Sequence, residues 1–196
     1  LVKKNEQLHE QMRELKSRHA AVERAIASIE KYRKSPTNGT VSLEYIDRRY
    51  TYGRPCRHNF YEMDADSFEE ELMGLRQELV KKGFLHVHSY NVGTTITGAN
   101  FEAGRFIPEE SFVFVDHKDR DIVPGVKVLD SGMFACIYLD SFDEEIAYAL
   151  KLRDHCRAQG WILDGDYICE IITEFNVFDS EKRSMFMRLQ VPVRFS

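Results

Sequence analysis

One six-residue phrase occurs twice in this chain. Ser67-Phe68-Glu69-Glu70-Glu71-Leu72 returns in the second half as Ser141-Phe142-Asp143-Glu144-Glu145-Ile146. Each copy reads as a helix start, with Ser and a Glu three residues on forming a capping box. Apolar residues follow at helical spacing: Phe68, Leu72, Leu75 and Leu79 in the first copy, and Phe142, Ile146, Ala149, Leu152 and Cys156 in the second. Gly83 and Gly160 stand where such helices stop. Strand patterns surround both copies. In the first, Val41, Leu43 and Tyr45 alternate with polar residues in a strand running on toward Tyr52, and strands follow at 90–101 and 111–116. In the second, a strand pair or a bulged strand around Ser131-Gly132 is expected at 127–139 and strands at 164–175 and 185–195, with a loop at 121–125 before them. Residues 40–116 and 126–195 thus each read strand, helix, strand, strand. A unit of this size present only twice is not a solenoid. It predicts an α+β domain over 40–196, built as a duplicated βαββ fold about a pseudo-two-fold axis, with a cleft between the halves as the natural ligand site.

Residues 1–34 differ in kind. They contain no Gly or Pro, and Leu1, Asn5, Leu8, Met12, Leu15, His19, Val22, Ile26 and Ile29 recur at alternating spacings of four and three. That is a heptad seam with two polar insertions. It predicts a long helix that pairs with the same helix of a second chain, making a homodimer; an amphipathic helix folded back on its own domain is the alternative. Residues 35–39, Ser-Pro-Thr-Asn-Gly, form the linker.

The formal charge of −5 argues against binding nucleic acid through bulk electrostatics. No apolar run is long enough to span a bilayer and no signal peptide is visible, so a cytoplasmic protein with no membrane partner is expected. Cys56, Cys136, Cys156 and Cys169 are scattered and read as reduced thiols. Cys56, His58, His86 and His88 could be assembled into a metal set, but surface histidines and a core cysteine explain them better; no metal and no cofactor is expected. Arg48, Arg49, Arg54 and Arg57, interleaved with Tyr45, Tyr50 and Tyr52, could bind a single strand. The acidic residues around them favour a salt-paired surface instead.

The most informative strand is 164–175. With period two, Ile168, Glu170, Ile172 and Glu174 share one face, while Tyr167, Cys169, Ile171, Thr173 and Phe175 share the other. Both faces are apolar around Glu170, so the strand reads as covered on both sides. A carboxylate there needs a cationic side chain, a proton or a cationic ligand. An ion pair with Arg188 or Arg194 on a neighbouring strand is one solution.

The stretches Gly132-Met133-Phe134-Ala135-Cys136-Ile137 and Asp166-Tyr167-Ile168-Cys169-Glu170-Ile171-Ile172, in this order and spacing behind the long helix, resemble the GyrI-like effector-binding domain of MerR-family transcription regulators. The resemblance covers essentially the whole chain and agrees with the repeat. It implies that residues 1–34 are a dimerisation helix, with Leu8, Met12, Leu15, His19, Val22, Ile26 and Ile29 in the pairing seam. It implies a DNA-binding winged-helix head that is not in this chain, which begins at Leu1 and reads as a fragment. It also implies a small, lipophilic and cationic effector, with Glu170 as counter-charge, Tyr90 and Phe68 as pocket aromatics, Ile146 and Ile172 as walls, and Met185 opposite. Ile146 and Met185 stand where a multidrug sensor carries tyrosines, which thins the aromatic cage. Some stand-alone relatives resemble small-molecule hydrolases. In that reading Glu170 would be the general base and Tyr90 the acid. The dimerisation arm favours a regulator that is not an enzyme.

Overall fold

The structure, a computed structural model, describes residues 1–63, 65–120, 123–175 and 184–195. Part of the expected loop at 121–125 therefore lies outside the described residues. Helix α1 spans Val2–Lys34. Strands β1 (Val41–Ile46) and β2 (Arg49–Pro55) follow, then α2 (Ala65–Lys81), β3 (Val92–Ile96), the short α3 (Gly98–Glu102) and β4 (Glu110–Val115). The second half contains β5 (Lys127–Leu129), β6 (Gly132–Ser141), α4 (Glu145–Ala158), β7 (Ile162–Leu163), β8 (Tyr167–Phe175) and β9 (Ser184–Arg194).

The sheet runs in the order β1-β6-β9-β8-β3-β4-β2-β5, all antiparallel, with β7 paired to β9. Read from its centre this order is symmetric: β8 matches β3, β9 matches β4 and β6 matches β2. The outermost strands are exchanged, β1 lying on the second half and β5 on the first. The expected continuous strand from Val41 to Tyr52 is therefore two strands on opposite ends of the sheet, parted at Asp47-Arg48. The expected strand at 90–101 also breaks. Thr97 accepts a hydrogen bond from the Asn100 amide and starts α3, because a Thr-Gly pair favours a helix cap over continued ladder pairing.

Gly83 and Gly160 adopt φ of +89° and +69° and end their helices. The Phe84 amide returns to Leu79 O and the Trp161 amide to Cys156 O, the same closing bond in both halves. The second capping box is not realised. Ser67 lies inside α2, and the Ser141 side chain makes no cap hydrogen bond. The acid that follows each box, Glu71 and Glu145, is buried instead.

One face of the sheet, with Ile137, Leu139, Cys169, Ile171, Met187, Leu189 and Val191, packs under α2 and α4 to form the main core. The opposite face carries a smaller cluster of Ile46, Phe134, Cys136, Tyr138, Ile172 and Phe186. The C-terminal half of α1 lies against this second face. Tyr32 meets the Phe186 ring edge-on at 4.7 Å. Strand β8 is thus covered on both sides.

Helix α1 carries a second stripe, opposite its seam. Glu14, Ser17, Ala21, Arg24, Ser28 and Lys31 are its half-buried residues along one stripe, each two positions after a seam residue and so on the opposite side of the helix. Arg24 bonds Asp116 at 2.7 Å, Ser28 donates to Asn91 at 3.2 Å, and Lys31 reaches Glu170 at 2.6 Å. The polar stripe docks on the domain and the apolar seam is left outside: Leu8, Met12, Leu15, Val22, Ile26 and Ile29 are each at least half exposed. No helix among the described residues is long and apolar enough to cross a membrane. The four cysteines are free.

Candidate functional site

Among the described residues, the features best placed to carry chemistry are the buried carboxylates of Glu170 and Glu145, on opposite faces of the sheet, and an apolar cavity.

Glu170 sits at the centre of β8, opposite Arg188 of β9 and Gly93 of β3, where the two halves join. A Cβ at Gly93 would lie 2.5 Å from the Phe112 ring, so glycine is required there for the rings to pack across the junction. The Glu170 carboxylate is 2% exposed and faces α1. Lys31 Nζ lies 2.6 Å from Oε1. Arg188 Nη2 at 2.7 Å, Gln190 Nε2 at 3.1 Å and Arg49 Nη1 at 3.4 Å all reach Oε2. Burial alone would raise this carboxyl. Arg188, Lys31 and Arg49 outweigh it and hold Glu170 far below the usual carboxylate range. Arg188 also reaches Glu44, which accepts the Tyr138 hydroxyl at 3.0 Å. Of the partners the strand could have had, it has side-chain cations, and the Arg188 pairing is among those expected from strand adjacency.

Glu145 is the second acid, and sequence reasoning passed over it. It opens α4, is 2% exposed, and faces the main core. Its Oε1 accepts hydroxyls from Tyr61 at 2.7 Å and Tyr167 at 2.9 Å. Burial pushes its carboxyl up, and the hydroxyls oppose this only in part. The two tyrosines are in turn pushed well above their ordinary range by burial and by this acid. The repeat sharpens the contrast. Glu71, its counterpart in the first copy, is also buried, but it holds Arg54 at 3.0 Å and accepts the Arg57 amide at 3.2 Å. Among the described residues Glu145 forms no ion pair. The readable signal was its spacing: Glu145, Ala149, Leu152 and Cys156 are the buried line of α4.

The cavity holds about 620 Å³ between α2, the turn Val87–Ser89 and β9. Phe68, Leu72, Met73, Val80, Val87 and Met185 make its apolar wall, with Glu69, Arg76, Lys81 and His88 at polar positions. Behind Phe68 the aromatics continue: Phe142 stacks on it at 5.5 Å, Phe60 lies at 5.0 Å, and Phe60 meets Tyr61 at 4.6 Å, which leads to Glu145.

Of the pocket residues expected from sequence, the structure brings Phe68 and Met185 together at this cavity. Glu170 and Ile172 lie on the other face of the sheet. Tyr90 is buried, with Phe84 edge-on at 5.8 Å and the Arg24 guanidinium 4.0 Å above its ring. Ile146 is 38% exposed because Glu145 takes the inward position beside it. The arginine cluster is only partly a surface: Arg48 pairs with Asp130 in the open, whereas Arg49 and Arg54 turn inward to Glu170 and Glu71. Among the described residues no group of three His, Cys, Asp or Glu is placed to hold a metal ion.

No protein-family model matches the sequence, and no curated protein is similar to it in sequence. Solved structures share the fold. The crystal structure of the EcmrR C-terminal domain is similar at a TM-score of 0.59 and 12% identity, over 80% of this chain and 98% of that one. An EcmrR–DNA complex in EcmrR-RPo, seen by cryo-EM, is similar at 0.58 and 13%, over 97% of this chain and 69% of that one. A conserved protein from Listeria innocua is similar at 0.51 and 11%, over 84% and 97%.

Proposed function

We propose that this chain is the dimerisation arm and effector-binding domain of a MerR-type transcription regulator, and that its effector is a small lipophilic molecule bound in the cavity beside Phe68 and Met185. The observation that carries the reading is that cavity, apolar and of ligand size, in a fold shared with the EcmrR C-terminal domain. A cationic effector would suit it. Glu145 lies at the end of the aromatic run behind Phe68 with no cation among its described partners, and a ligand cation would compensate it. DNA would be contacted through a head outside this chain. Sensing is favoured over hydrolysis. A general base needs a carboxylate free to take a proton, and Glu170 is held ionised by three cations while Arg24 covers Tyr90.

Calorimetry with tetraphenylphosphonium and tetraphenylborate tests both shape and charge, since the two ions match in size and differ in sign. The cation is expected to bind at least about tenfold more tightly, roughly 1.4 kcal/mol. Met73→Trp, which fills the cavity, should weaken it by a similar factor. Undiminished binding to Met73→Trp would place the ligand elsewhere, and equal affinity for both ions would remove Glu145 from the reading.

The arm supports the same proposal. An exposed apolar seam opposite a docked polar stripe suits a partner helix from a second copy. Sedimentation should show a dimer that Leu15→Glu combined with Ile26→Glu converts to a folded monomer. A wild-type monomer at micromolar concentration would end the dimer reading.

A further inference from the structure

The cavity and the arm lie on opposite faces of the sheet, yet they share two short pieces of backbone. The first is the turn after α2. Val87 and His88 line the cavity. The adjoining residues hold the arm: Ser89 Oγ accepts from Arg24 at 2.8 Å, Tyr90 lies under the same guanidinium, and His86 Nε2 is 3.4 Å from Glu14. His86 has φ of +54°, a left-handed conformation that a non-glycine residue holds only at a cost. The second piece is the start of β9. Met185 lines the cavity, and the next residue, Phe186, points to the other face and receives Tyr32 of the arm. Alternation along a strand makes this a lever through the sheet.

Beyond these two points the arm is held by polar groups: Arg24 on Asp116, Ser28 on Asn91 and Lys31 on Glu170. Such contacts can be released at modest cost, because the apolar seam of α1 already lies outside the domain and only the small apolar cluster under Tyr32 would be uncovered. The geometry points to a releasable latch. Occupancy of the Phe68–Met185 cavity moves the turn at 86–90 and the Met185–Phe186 pair, and so controls whether the inner stripe of α1 stays docked through Arg24, Lys31 and Tyr32. This inference rests on the cavity being the effector site and adds how its state reaches the arm. A ligand moves such an equilibrium only by its preference for one state, and the coupling is reciprocal.

Spin labels incorporated orthogonally at Glu23 on the arm and Lys127 at the sheet edge read the docked distance in the intact chain. Wild type should give one narrow distribution. Lys31→Met leaves Glu170 still paired with Arg188 and Arg49, so the fold survives while the latch loosens, and a second, longer population should appear. Arg24→Gln should produce the same population independently. Filling the cavity, by tetraphenylphosphonium or by Met73→Trp with no ligand present, should change the ratio of the two populations. By reciprocity, Lys31→Met should change the affinity for the cation by about 5-fold or more. An arm distribution untouched by both latch variants overturns the latch. A cation that binds without altering the distribution overturns the coupling and leaves the ligand reading standing. A cation that fails to bind, with Met73→Trp still shifting the arm, overturns the ligand reading and supports the coupling.

Discussion

Glu170→Met is expected to destabilise the fold by about 3–5 kcal/mol at pH 7, because it removes the shared counter-charge of the buried Arg188 and of the half-buried Arg49 and Lys31. The side chain is nearly the same size, so the loss is electrostatic and not a cavity effect. Adding Arg188→Met should recover part of it, since one of the stranded cations leaves too. Glu170→Gln keeps the shape and an acceptor and should cost less, about 1–3 kcal/mol. The pH dependence has a definite sign. The folded carboxyl lies below its unfolded value, so the stabilisation is complete above about pH 4.3, the ordinary glutamate value, and is lost progressively as pH falls below it. Urea titrations of wild type and Glu170→Met at pH 7 and pH 3.5 check both points: the difference should be large at the first and shrink at the second. Equal stability at pH 7 would mean that the three cations find water or other partners when Glu170 is gone.

The second large effect is at Glu145, and there the sign reverses. Its folded carboxyl lies above the unfolded value. Its contribution is fully favourable below about pH 4.3 and declines as pH rises from there toward the folded value, because the unfolded chain ionises there while the buried group keeps its proton. These two groups together favour mild acid: Glu170 loses its stabilisation as pH falls below about 4.3, and Glu145 loses its own as pH rises above that value. Glu145→Gln retains an acceptor for the two hydroxyls without the charge. It should be near neutral in mild acid and more stable than wild type above neutrality. Glu145→Leu removes the acceptor as well. Tyr61 and Tyr167 then keep buried hydroxyls without their partner, for a loss of about 2–5 kcal/mol. Thermal melts from pH 5 to pH 8 distinguish the cases. A Glu145→Gln protein whose stability still falls with rising pH across that range would assign the slope to another group.

The two acids also show why part of the site was legible and part was not. Glu170 stood out because two isoleucines flank it at strand spacing, a local pattern. Glu145 was hidden in a row of acids. Only its register with Ala149, Leu152 and Cys156 marked it as inward, one position from Ile146, which had been expected to face the pocket. A shift of one residue on a helix turns a side chain by about 100°, enough to exchange wall for surface. Phe68 and Met185 line one cavity because both follow the apolar period of their own elements. Tyr90 did not join them because Arg24, far away in sequence, covers its ring.

What periodicity and turn residues determined by themselves was the list of parts: a long seamed helix, two copies of a strand–helix–strand–strand unit, and helices ended by Gly83 and Gly160 in left-handed conformations. These depend on interactions within a few residues, which one sequence exposes directly. What only the tertiary structure decided was which cation answers Glu170 and which acid is left without one. That answer required the order β9-β8-β3 and the docking of α1 across it, contacts between residues as far apart as Lys31 and Glu170. Charge compensation in a buried site is non-local: the sequence can state the debt of a buried carboxylate, but the partner is chosen by the way distant strands and helices are brought side by side.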